Sequence, residues 1–116
     1  MDSASVGKLG ENIAQEYLKK KGCDIISRNY RTKYGEIDLI VRKNNILIFV
    51  EVRSKTGEQF GTPEDTINKI KMSKIKRNAM AYISRKKWQD QYRIDAICII
   101  LNQDSSIKRL DHYENI

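Results

Sequence analysis

Residues that staple, kink or ligate are scarce in this chain: its 116 positions hold one proline, one histidine and two cysteines. Cys23 and Cys98 have no metal-ligand spacing, and with a single histidine a structural zinc site is excluded. They are expected to be buried thiols in a reducing cytoplasm. A Ser-His-Asp or Cys-His enzyme would have to rest on His112, close to the last residue, which is a poor basis for a triad. No apolar run exceeds the six residues Ala96 to Leu101. That is too short for a membrane-spanning helix, and the first turns carry no signal-peptide core. Repeats, linkers and low-complexity stretches are also missing. Residues 1–116 therefore read as one globular domain, long enough to bury a core without staples.

One stretch lacks charge of one sign. From Thr66 to Gln89 there is no acidic residue, but there are eight basic ones, in a chain whose formal net charge is +7. Removing those eight from 22 Lys and Arg leaves 14 against 15 Asp and Glu, so the whole excess sits in this segment. A localised basic field suits a polyanion, and nucleic acid is the commonest one in a cytoplasm. An ordinary solvated helix face is the alternative.

Hydrophobic spacing gives the order α-β-β-β-α-β-β. A first helix spans Ser3 to Lys21 and ends at Gly22, with Val6, Gly10, Ile13, Ala14 and Tyr17 facing inward. Strands are expected at Cys23–Arg31, Glu36–Arg42 and Ile46–Arg53. In the second of these, Ile37, Leu39 and Val41 share one face, with Glu36, Asp38, Ile40 and Arg42 on the other. Ser54–Gly61 reads as a loop. Thr62-Pro63-Glu64-Asp65 reads as the start of a helix running to Arg85, buried through Met72, Ile75, Ala79, Tyr82 and Ile83. Tyr92–Leu101, apolar on both faces, reads as a central strand, and Ile107–Tyr113 as a weaker last one. Together these make a layered α/β domain.

Asn44-Asn45 reads as a two-residue hairpin turn, since Asn tolerates positive φ. Paired positions then sum to 89, which sets Asp38 against Glu51 and Glu36 against Arg53. Two carboxylates roughly 5 Å apart repel by about 3 kcal/mol at an effective dielectric near 20. A shared proton, a basic partner such as Arg53, or a divalent cation would each relieve that repulsion. Mg²⁺ suits oxygen ligands of this kind, and a metal so held activates water and neutralises charge on a phosphodiester. A satisfied ion-pair cluster is the competing reading.

An acid on one hairpin strand followed by Glu-x-Lys on the next resembles the signature of the PD-(D/E)XK, restriction-endonuclease-like nucleases. Within that superfamily the chain is similar to the YraN-like family, itself similar to archaeal Holliday-junction resolvases. The resemblance is carried by Gly10-Glu11, Arg28-Asn29-Tyr30-Arg31, Gly35-Glu36-Ile37-Asp38-Leu39-Ile40 and Phe49-Val50-Glu51-Val52-Arg53. Phe60-Gly61, Pro63-Glu64, Lys71 and Ala79 with Tyr82 extend it over nearly the whole chain. It implies a restriction-endonuclease-like fold, a mixed sheet flanked by helices, and a Mg²⁺- or Mn²⁺-dependent, structure-directed DNA endonuclease. Asp38 and Glu51 then match the metal-binding acids, Glu11 an additional helical acid, and Glu36 a neighbour that orients Arg53. Arg53 stands where the motif has Lys. It cannot release its proton near neutral pH, so it suits phosphate clamping and not general-base work. Lys55 and Lys71 are candidate substitutes.

Arg28, Arg31 and Lys55 are candidate phosphate ligands beside the site, and Lys69, Lys71, Lys74, Arg77 and Arg85 along the basic helix. Tyr30, Tyr34 and Phe60 are candidates to line the cleft, and Trp88 either stacks on a base or closes the helix against the core. The resemblance implies branched or flapped DNA as partner and a homodimer that pairs two cuts. A module that binds DNA without useful catalysis, and a protein-interaction domain that uses the basic helix, are the alternatives.

Overall fold

A computed structural model describes residues 1–116. Its elements are α1 (Ser3–Lys20), β1 (Asp24–Thr32), β2 (Gly35–Lys43), β3 (Ile46–Thr56), α2 (Lys69–Lys86), β4 (Gln91–Leu101) and β5 (Ile107–Tyr113). The order is the expected one. The five strands form a single mixed sheet in the sequence order β1 to β5. Only β3 and β4 run parallel, and α2 lies in the crossover between them. Such a connection is what a parallel pair needs, because a tight turn cannot return the chain to the same end.

The helices cover opposite faces. Val6, Ala14 and Leu18 of α1 pack on Leu39, Val41, Ile48, Val50, Val52, Ile97, Ile99 and Leu101. Ile75, Ala79 and Tyr82 of α2 pack on Ile37, Ile40, Leu47, Phe49 and Ile94. Leu18 takes an inward position that the spacing had given to Ile13 and Tyr17, which are only half-buried. Gly22, at φ +88°, ends α1 as expected: its N–H reaches Lys19 O and the next N–H, of Cys23, reaches Leu18 O. Both cysteines are free and buried. Trp88 donates its indole N–H to Gln91 O (2.9 Å) and packs beside the α2 core, so it closes that helix.

Three local expectations are corrected. Residues 62–85 are not one helix. Thr62 and Asp65 cap each other around a single 3₁₀ turn, Pro63–Thr66, and Asn68 then caps α2 by accepting from Lys71 N–H (2.9 Å). The strand β3 runs three residues further than read, to Thr56, because β4 stays paired with it as far as Leu101. And β2 does not keep one face throughout: Ile37 joins the α2 core while Leu39 and Val41 join the α1 core. The break in alternation falls at Asp38. Opposite it in β1, Asn29 has the left-handed φ of +49° and makes no ladder pair.

Candidate functional site

The hairpin register is the one read from the turn. Lys43↔Ile46 through Leu39↔Val50 all sum to 89, and Asn44 has φ +55°. The backbone ladder stops at Leu39↔Val50. Beyond it β2 follows β1, pairing Ile37 with Tyr30 and Glu36 with Arg31, while β3 follows β4. The sheet therefore forks, and Asp38 and Glu51 are the first residues past the fork. Asp38 Oδ2 accepts the Val52 N–H (2.9 Å), taking the place of the lost ladder bond. The carboxyl group is thus held by the bond that the fork leaves open.

A cleft of about 510 Å³ opens at this point. Its acidic lining is Glu11, Glu36, Asp38 and Glu51, and its basic lining Arg53, Lys55 and Lys71. Glu51 is 6 % exposed and pairs with Arg53 (3.1 Å) and Lys71 (3.6 Å). Burial, followed by the neighbouring Glu51 charge, pushes the Asp38 carboxyl up to about 7, and the Val52 N–H and Arg53 only partly offset this. Glu11 is raised as well, by burial first, against a hydrogen bond from Asn29. The Asn29 amide donates to both Glu11 (2.8 Å) and Glu36 (2.9 Å), and so ties α1 to β2 across the cleft mouth. The buried Arg53 Nε–H has no acceptor.

These donors can be tested against a divalent cation. No three acidic, histidine or cysteine side chains converge tightly enough to enclose a metal. Two carboxylates do converge, and Mg²⁺ is commonly held by one or two carboxylates, completing its shell with water and phosphate oxygens. Asp38 lacks a full counter-charge, so the pair fits the cation. Glu11 is set back from it, bound to Asn29.

The other candidates divide. Lys55 lines the cleft and donates to Phe60 O (3.3 Å). Arg31 is exposed beside it, 3.6 Å from Glu36, and Arg28 reaches Gln15 (3.5 Å). Glu36 thus pairs with Arg31, while Arg53 pairs with Glu51. Lys71 reaches the acids from the first turn of α2. Lys69 and Lys74 are exposed on that helix, and Arg77 and Arg85 lie in a separate groove. Of the aromatics, Tyr30 packs edge-on against Tyr82, Tyr34 lies in the second groove and Phe60 is 92 % exposed, so none lines the cleft.

Asn29 and Asp95 were missed by the sequence reading. Asp95 is fully buried mid-strand, where it accepts from Arg93 Nε–H (3.0 Å), Asn115 N–H (3.0 Å) and His112 Nε2–H (2.8 Å). A carboxylate only accepts, so Nε2 carries a proton, and in the neutral ring Nδ1 accepts a hydrogen bond donated by the Tyr17 hydroxyl (2.9 Å). Burial alone would raise the Asp95 carboxyl, but the hydrogen bonds from His112, Arg93 and Asn115 outweigh it and leave it lowered. His112 is therefore a tether between α1, β4 and β5.

Fold and site together define a three-layer mixed α/β domain whose sheet forks at two neighbouring carboxylates flanked by cations. The chain belongs to the uncharacterised protein family UPF0102, whose model matches residues 10–99. It is 40 % identical over 111 residues to a UPF0102 protein of Pelotomaculum thermopropionicum, covering 95 % of this chain and 92 % of the relative. A relative from Thermodesulfovibrio yellowstonii is 37 % identical over 115 residues, covering 99 % and 97 %. One from Alkaliphilus metalliredigens is 40 % identical over 114 residues, covering 97 % and 96 %. The YraN-like resemblance is thereby confirmed.

Proposed function

We propose that this protein is a Mg²⁺- or Mn²⁺-dependent phosphodiesterase acting on nucleic acid, a structure-directed DNA endonuclease of restriction-endonuclease-like fold. The observation that carries this reading is the fork. It sets a half-buried Asp38 beside a buried Glu51 at the head of an open cleft and leaves Asp38 without a full counter-charge. A fold gains no stability from that arrangement, whereas a cation-dependent site needs it. Asp38 and Glu51 would hold the metal, which supplies Lewis-acid charge neutralisation and an activated water.

The chain's own residues then bind and orient. The Arg53 guanidinium holds Glu51 with one nitrogen, and its Nε–H is buried without a protein acceptor, which suits an ordered water oxygen. Lys71 brings an ammonium to the same carboxylate from α2, where it would help neutralise charge on a phosphodiester bound in the cleft. Asn29 fixes the distance between Glu11 and Glu36, and so the width of the cleft mouth.

A cleavage assay over branched, flapped and linear DNA, with Mg²⁺ and Mn²⁺ and with Asp38→Asn as control, tests the reading. Wild-type cleavage that needs metal and vanishes in Asp38→Asn supports it. No cleavage of any substrate at high protein concentration overturns it. One observation favours a second reading, a DNA-binding module without catalysis: Glu51 already meets two cations, and one of them, Arg53, cannot act as a base. Metal-independent, salt-sensitive DNA binding without cleavage would establish that module.

A further inference from the structure

A second groove, of about 810 Å³, runs along the outward side of α2. Ser73, Arg77, Met80 and Ser84 fall on one stripe of the helix with Lys76 and Arg85 on its two flanks, and Lys33 and Tyr34 of the β1–β2 turn complete the lining. The stripe is the reverse of the one that buries Ile75, Ala79 and Tyr82. No acidic residue lines the groove. Its four cations are not neutralised within the protein, as several others are. Arg53, Lys71, Arg93 and Arg109 each hold a carboxylate. Lys33, Lys76, Arg77 and Arg85 hold none within 4.0 Å. Their charge is unspent.

Apolar surface lies among these cations. Tyr34 is 41 % and Met80 43 % exposed, and Lys33 Nζ lies 5.2 Å from the Tyr34 ring centroid. A duplex offers phosphates but keeps its base faces covered. A single strand offers both, and base stacking on an aromatic ring beside phosphate-binding cations is how such strands are held. From Lys76 to Arg85 the lining is about 14 Å long at 1.5 Å per residue. Arg77 stands about 9 Å along the same helix from Lys71, which lines the acidic cleft, and about a third of a turn round it, so a strand leaving that cleft reaches the groove by crossing α2 obliquely.

We propose that this groove is a single-stranded nucleic-acid track. Lys33, Lys76, Arg77 and Arg85 take phosphates, and the Tyr34 ring stacks on a base. The inference rests on the reading of the cleft as a nucleic-acid site only in the direction of the strand, and its test does not use cleavage.

The test is fluorescence anisotropy with the full chain in EDTA, using a labelled mixed-sequence single strand and the corresponding duplex. Tyr34→Ala should weaken single-strand binding roughly five- to a hundred-fold, the range that loss of one stacked base gives, and leave duplex binding unchanged. Tyr34→Phe, which keeps the ring, should bind like wild type. Lys76→Glu with Arg77→Glu should weaken single-strand binding and reduce the slope of log K against log salt by about 0.7 for each phosphate no longer neutralised. Unchanged single-strand affinity in Tyr34→Ala overturns the proposal. So does an equal loss for duplex, or competition by an acidic peptide as effective as that by the strand. Because EDTA removes any metal, failure here leaves the cleavage reading intact, and an inactive cleft leaves this result intact.

Discussion

At the scale of single residues, two aspartates, Asp38 half-buried and Asp95 fully buried, face opposite electrostatic balances. Asp38 carries charge that the protein does not fully compensate, so its carboxyl is raised to about 7 from an ordinary 3.8. Between those values the folded state binds a proton that the unfolded chain does not. Without metal, stability contributed by this group is present at acid pH and is lost as pH rises towards and through 7. Asp38→Asn keeps the shape and removes the repulsion, so in EDTA its melting temperature should equal or exceed that of wild type. The gap should widen from pH 5 to pH 8, bounded by roughly 4 kcal/mol at 1.36 kcal/mol per pH unit. Excess Mg²⁺ or Mn²⁺ should raise the wild-type midpoint alone. Thermal melts of both proteins across that pH range check this, and a mutant that melts lower in EDTA would make the cluster structural. Asp95 behaves the other way. Its carboxyl is lowered by three donors, so its stabilisation is present above pH 4 and is lost as pH falls through the folded value. Asp95→Ala leaves His112 Nε2–H and Asn115 N–H without their acceptor and Arg93 with Glu114 alone (3.5 Å), and should cost about 1–3 kcal/mol in urea denaturation, with metal binding retained in whatever fraction stays folded.

Between elements, the approach of α1 to β3 depends on one missing side chain. A Cβ on Gly10 would stand 2.5 Å from Ser54 Oγ and 2.7 Å from Ser54 Cβ, and Ser54 is itself anchored to Val6 O (3.1 Å). Alanine is the better helix former by about 1 kcal/mol, but the clash outweighs that gain, so Gly10→Ala should destabilise by about 1–3 kcal/mol. Ser54→Gly removes both obstructing atoms, and the double mutant should recover much of the loss in a chemical-denaturation cycle. Glu11 follows Gly10 directly, so the single mutant should also loosen the Asn29 bridge to Glu36. Elements of this kind were legible in the sequence to different degrees. Asn44-Asn45 fixed the β2–β3 register because a two-residue turn leaves one pairing sum, and that placed Asp38 beside Glu51. The fork itself was hidden, because it depends on β2 following β1 around Asn29, whose left-handed backbone no spacing rule announces. Thr62-Pro63 was a true cap, but of one turn only, and Asn68 was an unread second start. Asp95 left a readable trace. An acid inside an otherwise apolar strand must find partners, and His112 with Arg93 met that need.

Across the whole molecule, charge is sorted by place. The acids Glu11, Glu36, Asp38 and Glu51 gather in the cleft, while α2 and its flank carry the net excess. Only Lys71 of that excess reaches the acids as a salt bridge. The exposed remainder creates a field that attracts polyanions towards α2 and leaves the cleft's own balance nearly untouched. Affinity and chemistry should therefore separate by mutation. Reversing Lys74, Arg77 and Arg85 to Glu changes two charges at each site and takes the formal net charge from +7 to +1. All three side chains are exposed and hold no carboxylate, so the melting temperature should stay within a few degrees of wild type. DNA affinity should fall regardless of sequence, and its salt dependence should flatten, because fewer neutralised phosphates release fewer counterions. The metal-induced rise in melting temperature should survive, since Asp38, Glu51, Arg53 and Lys71 are unaltered. Binding isotherms over a salt series, run beside melts with and without Mn²⁺, measure both. An unchanged salt slope would move the nucleic-acid surface off α2, whereas a lost metal response would mean that the helix charge and the cleft are one coupled system.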